Sequence, residues 1–419
     1  MIACVEALNY RCLRYVRQEL GPFQVLVGPN ASGKSTFLDV ITLLGDLLCN
    51  GLVEAIHQRS PDLRALAWMG QNDRIELAVE LVIPDERRSK LPQNAYKRAR
   101  YEVAIGEDPS GELAILDETL WLKPDAHKPA KEQQLRLFPE PIPPPDSVVI
   151  GEGKHAPSGW KKVVTKKAES GNDYFFSETT KWNTPFRFGP QKLALANLPE
   201  DEDRFPVATW VKRVLMDGIQ RLALNSEAMR RPAAPGSPRT FQPDGSNLPW
   251  AIHQLQKDAP ERFKRWVAHA ATALPDLEGI ETTERPEDRH RYLSICYATG
   301  LSVPSWTTSD GTLRLLALTL LAYLGGGERV YVIEEPENGI HPAAVETVYQ
   351  SLSSAYDVQV LCASHSPVVL SRAEPEQLLC FAKTGQGESA VVRGHEHPVL
   401  RDWQRGADLG TLFAAGVLG

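Results

Sequence analysis

Two stretches of the chain carry residue types at a spacing suited to chemistry on phosphates. Gly28-Pro29-Asn30-Ala31-Ser32-Gly33-Lys34-Ser35 fits G-x-x-x-x-G-K-[ST] at every position. Glycines let such a loop curl its backbone N–H groups around phosphate oxygens, and the helix that follows presents its positive end. Lys34 is placed to reach the β- and γ-phosphates of a nucleotide such as ATP, and the Ser35 hydroxyl to ligate Mg2+. Thr36 continues the loop into the helix. The second stretch is Val330-Tyr331-Val332-Ile333-Glu334-Glu335-Pro336. An apolar strand ending in two acids is the Walker B pattern: Glu334 is delivered to the Mg2+ shell, and Glu335 can polarise an attacking water. Glu334 stands where Asp is commoner, and its longer arm still reaches the metal.

Two further stretches bear on subclass. Ser309-Asp310-Gly311-Thr312 opens a helical run 25 residues before Glu334. Ser or Asp ahead of a helix is also an ordinary N-cap. In this position the stretch resembles the signature motif of ABC-type ATPases, an anion site at a helix N-terminus offered to the γ-phosphate held by a second subunit. The usual form is Ser-Gly-Gly; here Asp310 replaces the middle glycine. His365, in Ala363-Ser364-His365-Ser366-Pro367, follows an apolar strand and resembles the switch histidine of that class. Asn338 to Pro342 resembles its dimer-contacting loop, with His341 read as packing at a helix start.

The elements needed to position these groups can be read from periodicity. Phe23–Val27 is an apolar strand, and Phe37, Leu38, Ile41, Leu44 and Leu48 repeat at helical spacing after Ser35. Residues 75–83 and 101–105 read as strands. Residues 205–230 and 247–274 read as helical. From 311 onward the pattern is helix, strand (330–333), helix (343–354), strand (358–363), the alternation of a parallel or mixed sheet covered by helices. Residues 120–190 are Pro-rich and read as an irregular insertion with a few strands. Residues 151–195 hold eight basic and four acidic side chains, either a solvated loop or a docking patch for nucleic acid or an acidic partner.

Composition excludes several classes. The chain has 419 residues, a net charge of −7, 42% hydrophobic and 24% charged residues, the proportions of a globular protein. An acidic balance argues against coating nucleic acid with the whole surface. Residues 313–324 form the longest apolar stretch, too short to span a bilayer, so no membrane association is expected. The N-terminus lacks a signal-peptide pattern, and the six cysteines show no CxxC spacing, so a cytoplasmic protein with reduced thiols is expected. His395-Glu396-His397 reads as a surface turn or a metal-binding pair.

Together these motifs resemble the RecF/SMC-like ABC ATPases, specifically bacterial AAA-type proteins with blocks like Ile333–Pro342 and Ser364–Pro367. Asn9-Tyr10-Arg11-Cys12-Leu13 matches their N-terminal N-[FY]-[RK] strand, which implies that Arg11 lies near the phosphates. The resemblance implies an α/β fold: a P-loop NTPase of the ABC-type ATPase-head kind, with a mixed sheet flanked by helices. Residues 1–105 would hold the P-loop, 106–204 an irregular insertion, 205–310 a helical lobe and 311–419 the Walker B and switch motifs. It implies a homodimer sandwiching two ATP molecules, with Ser309, Asp310 and Gly311 of one copy capping the nucleotide of the other. The motifs do not place the Q-loop glutamine; Gln71 and Gln191 are its candidates. The chain is similar to ATPase subunits of anti-phage systems of the PtuA and PARIS kinds and to the ATPase part of OLD-family nucleases. Only 54 residues follow His365, Asp408 among them, with no acidic cluster of nuclease pattern. The expected role is therefore an ATP-hydrolysing switch in antiviral defence or DNA maintenance that controls a separately encoded effector protein or acts on DNA. The alternatives are a nucleotide-gated scaffold and an ABC transporter subunit.

Overall fold

The apolar runs ahead of the Gly-rich loop and the two acids are strands buried along nearly their whole length, as parallel strands covered on both faces must be. The computed structural model describes residues 1–70, 73–92, 96–124, 138–150, 156–168, 171–238, 240–325 and 327–401. Its strands are, in chain order, β1 (Ile2–Tyr10), β2 (Leu13–Glu19), β3 (Phe23–Val27), β4 (Arg74–Val82), β5 (Arg98–Glu107), β6 (Leu113–Lys123), β7 (Lys161–Lys167), β8 (Asp173–Phe176) and β9 (Asn183–Phe186). They continue with β10 (Ile219–Leu222), β11 (Leu277–Glu284), β12 (Arg291–Tyr297), β13 (Ser302–Pro304), β14 (Arg329–Glu334), β15 (Val358–Ala363), β16 (Leu378–Lys383) and β17 (Ser389–Arg393).

Among the described residues these strands form three sheets. One runs β10-β14-β15-β3-β16-β17 and is parallel except for the last pair. The second, β2-β1-β4-β5-β6-β7-β8-β9, is antiparallel throughout. The third is a small antiparallel ribbon, β11-β12-β13. Helix Lys34–Asn50 is buried on nearly all sides and joins residues of both large sheets in one apolar core. A second core covers the opposite face of the parallel sheet, with helices Leu248–Asp258, Pro260–Ala271, Asp310–Leu324 and Pro342–Ser353.

Polar clips tie the sheets together. Gln359 of β15 is fully buried; its amide accepts from Ile2 N (3.0 Å) and donates to Ile2 O (2.8 Å) and Gly21 O (2.7 Å). In the antiparallel sheet, buried Arg100 pairs with Glu6 (2.8 Å) and Glu102 (2.9 Å) and donates to Val148 O (2.7 Å). Glu80, 3.6 Å from the same guanidinium, also pairs with Lys123.

Several expectations are corrected. The strands expected within the insertion are β6 to β9, which extend the antiparallel sheet, and the 105/106 division falls inside β5. Four of the eight basic side chains of residues 151–195 lie on strand β7, each with a close partner. Lys166 is buried against Asp173 (2.9 Å), Lys161 donates to Glu178 O (2.7 Å), Lys162 lies over the Trp121 ring (4.8 Å) and Lys167 is 4.0 Å from Asp117. Lys181, Arg187 and Lys192 of the same stretch are exposed, and Lys154 lies outside the described residues. Residues 205–230 are not one helix: after Val214–Gly218 the chain becomes β10, because the parallel sheet supplies an edge partner in β14 that outweighs local periodicity. The helical lobe also holds the ribbon β11–β13.

Arg100→Met should lower unfolding stability by about 3 kcal/mol or more, since it leaves buried carboxylates without their cation. Urea denaturation followed by circular dichroism checks this; a shift below about 1 kcal/mol would contradict the clip.

Candidate functional site

In the parallel sheet the C-terminal ends of neighbouring strands open on one crevice. β3 ends at Val27, just before Gly28, β14 at Glu334, β15 at Ala363 and β16 at Lys383, with Glu334 paired to Ala363 and Ala363 to Leu26. Four separated stretches of chain therefore meet at one edge.

The Gly28–Ser35 loop is held against the sheet. Gly28 has φ 144°, and a Cβ there would stand 2.1 Å from the Phe381 carbonyl oxygen. Gly33 has φ 105°, and a Cβ would stand 2.2 Å from Ser389 Oγ. Side chains cannot enter either position. Lys34 Nζ donates to the carbonyls of Gly28 and Pro29, each at 2.8 Å. Burial lowers its pKa, against the pull of Glu335 and Glu334. Ser35 Oγ donates to Glu334 Oε2. The other oxygen, Glu334 Oε1, accepts from Arg221 Nη2 of β10 at 2.7 Å.

Glu335 adopts φ 49°, a conformation costly for a side chain with a Cβ. Its N–H donates to Ala363 O (2.8 Å) and its carbonyl accepts from Asn338 N (2.9 Å). That turn sets its carboxylate at the crevice. His365 is held from behind: Glu337 Oε1 accepts from Ser364 Oγ (2.8 Å) and from His365 N (3.0 Å). Burial and then Lys34 hold the His365 pKa below 6.5, against Glu335 and Glu337. Arg11, in the β1–β2 turn with φ 50°, pairs with Asp39 at 3.3 Å.

Arg11, Asn30, Ala31, Gly33, Lys34, Ser35, Thr36, Glu334, Glu335 and His365 all line one cleft of about 460 Å3, within the range of small-ligand sites. Gly28 and Ser32 shape the loop without lining the cleft; Ser32 is buried. Its lining includes the cations Lys34, Arg11 and Lys383 and the carboxylates Glu334 and Glu335. Cations and loop amides suit a phosphate chain, and the Ser35 hydroxyl beside Glu334 is a hard-oxygen donor set that fits Mg2+.

Ser309, Asp310 and Gly311 do not line this cleft. Ser309 caps helix Asp310–Leu324, accepting from Thr312 N at 3.2 Å, and Asp310 pairs with Arg230. Gly311 packs on the loop after Glu335: a Cβ would stand 2.8 Å from Gly339 O. Arg314 donates to Asn338 O (3.3 Å) and Leu224 O (3.2 Å), closing the same joint.

Other expectations resolve variously. His341 caps its helix, accepting from Ala343 N at 3.2 Å. His397 is buried and accepts from Val399 N at 3.2 Å, and no metal cluster of three or more ligands occurs among the described residues. Gln191 is exposed and does not line the cleft; Gln71 and Asp408 lie outside the described residues. Arg221, Glu337, Lys383 and Cys12 escaped the sequence reading. Lys383 had a signal, an apolar strand ending in a cation; Arg221 had none, because it reaches Glu334 only through sheet pairing.

A family model described as AAA domain, putative AbiEii toxin, Type IV TA system matches residues 97–371. That span holds the Walker B, signature-like and switch motifs and begins after the Gly28–Ser35 loop. The fold is similar to the SmcHead bound to the C-winged helix domain of ScpA (TM-score 0.51, 15% identity, covering 93% of this chain and 97% of that one). It is also similar to the Smc head domain with an extended coiled coil bound to the C-terminal domain of ScpA from Pyrococcus furiosus (TM-score 0.50, 14% identity, 93% and 95% covered). These likenesses are of fold, that of an ABC-type P-loop ATPase head. No curated protein matches the sequence.

Gly28→Ala should weaken ADP binding about tenfold or more, by forcing the loop off Phe381. Gly311→Ala should leave ADP affinity of the single chain unchanged while lowering stability by about 1–3 kcal/mol. Calorimetric titration and urea denaturation separate the two; equal effects on affinity would contradict the assignment.

Proposed function

The chain belongs to the AAA-domain family described as putative AbiEii toxin, Type IV TA system, and on that ground we propose that it binds and hydrolyses ATP as a switch between two copies of itself. The observation that carries this reading is the convergence of ten motif residues, distant in sequence, on one cleft.

The loop amides, Lys34 and Arg11 hold the phosphate chain. Ser35 and Glu334 hold Mg2+, which when bound offsets phosphate charge as a Lewis acid. Glu335, fixed by its strained backbone, accepts a proton from the attacking water. His365, whose pKa burial and then Lys34 lower, offers an imidazole N–H to the γ-phosphate. In this reading a second copy completes the site with its Ser309 to Gly311, which lie outside the cleft of their own chain. Arg230 offsets the charge of Asp310, which eases the approach of that helix end to a phosphate.

The switch acts on a separately encoded effector or on DNA, in anti-phage defence or DNA maintenance. Support comes from the Smc heads of similar fold, whose structures were determined with a ScpA domain bound: a head of this kind can dock another protein.

Lys34→Ala should lower nucleotide affinity about 10–100-fold, the loss of a charge-assisted contact; unchanged affinity would refute the phosphate site. Glu335→Gln should lower turnover about 100-fold or more and accumulate an ATP-bound dimer, read by phosphate release and by light scattering after size exclusion. The same variant with ATP is the bait for identifying bound protein and nucleic acid. Full biological function without turnover would favour a nucleotide-gated scaffold instead.

A further inference from the structure

Arg221 stands apart from every motif, yet its guanidinium shares the carboxylate expected to meet the metal. Strand β10 is the edge of the parallel sheet, next to β14, with Arg221 opposite Val332. From there Nη2 lies 2.7 Å from Glu334 Oε1, while Oε2 accepts from Ser35. The Arg221 side chain is 56% exposed and that of Glu334 29%, so the pair sits at the cleft margin, where the arginine can turn away without breaking packing.

Guanidinium is a donor only and stays protonated, so it cannot ligate a cation. It has two effects on a metal using Glu334. It holds the long, flexible glutamate in one orientation, which favours binding. It also places a positive charge on the carboxylate that a doubly charged ion must approach, which opposes binding. The second effect is the larger, because it acts on both charges of the ion at contact range; solvent at the margin keeps it moderate. A phosphate chain changes the balance: it offers the guanidinium a partner of better geometry than one carboxylate oxygen.

We propose that Arg221 sets the divalent-cation requirement of the cleft, holding Glu334 against a bare metal ion and releasing it when the ion arrives with phosphates. Arg221 is thus a positioning residue whose effect is exerted through charge. This inference rests on the nucleotide reading of the cleft.

The test is binding, not turnover. Fluorescent N-methylanthraniloyl-ADP is titrated onto wild type, Arg221→Gln and Arg221→Lys at increasing Mg2+. Glutamine keeps a donor for Glu334 and removes the charge; lysine keeps the charge. Arg221→Gln should reach half of its Mg2+-dependent gain in affinity at about threefold or more lower Mg2+ than wild type, and Arg221→Lys should stay near wild type. An equal or higher Mg2+ requirement in Arg221→Gln overturns the proposal, as does Arg221→Lys shifting as far as Arg221→Gln. Failure of wild type to bind the ADP probe at any Mg2+ level would instead overturn the nucleotide reading itself, and this inference with it.

Discussion

Parallel register across three strands is the constraint on which the site depends. β14 pairs with β15 so that Glu334 stands beside Ala363, and β15 pairs with β3 so that Ala363 stands beside Leu26. Each strand turns at the same level. Gly28 then begins its loop, Glu335 takes its strained turn and Ser364 leads to His365 within reach of one another. A slip of one residue would turn every side chain of a strand to the opposite face. Burial on both faces supplies the specificity, since each of these strands is almost entirely inaccessible.

The antiparallel sheet serves this register from a distance. Gln359 satisfies three backbone groups at once, tying the middle of β15 to the start of β1 and to Gly21. Helix Lys34–Asn50 lies in the core common to both large sheets, so the loop ahead of it cannot drift without disturbing both. Charged groups inside the antiparallel sheet are matched. Arg100 gathers Glu6 and Glu102, and Glu76 accepts from Val148 N (2.7 Å) and Val149 N (3.2 Å), which straps an irregular segment to the sheet. Buried carboxylates of this kind persist only with such partners.

A second chain of contacts links groups that do not share the cleft. Gly311 meets Gly339, Arg314 binds the carbonyl of Asn338, and the neighbouring Glu337 holds both Ser364 and the His365 backbone. The start of helix Asp310–Leu324 is thereby in mechanical contact with the switch loop of its own chain. Close backbone approach needs a glycine at 311, whereas Gly339 leaves room for a Cβ and is suited to glycine by its φ of 75°.

By itself the amino-acid sequence determined the local chemistry: the loop at Gly28–Ser35, the strand ending in Glu334 and Glu335, and His365 after an apolar strand. Each depends on residues within one turn or strand, where spacing fixes conformation. It also determined the strand and helix alternation after residue 311, because buried parallel strands are continuous apolar runs. Tertiary structure decided what distant segments do to one another. Strands β6 to β9 joined the antiparallel sheet of β1, β4 and β5, since pairing gives their backbone groups partners that composition cannot reveal. Ile219 and Leu222, at helical spacing, became a strand because β14 offered an edge. The lysines of β7 acquired internal partners, and Arg221 arrived beside Glu334, 113 positions away in the chain. Those outcomes are sums of long-range contacts, and no window of the sequence contains both sides of them.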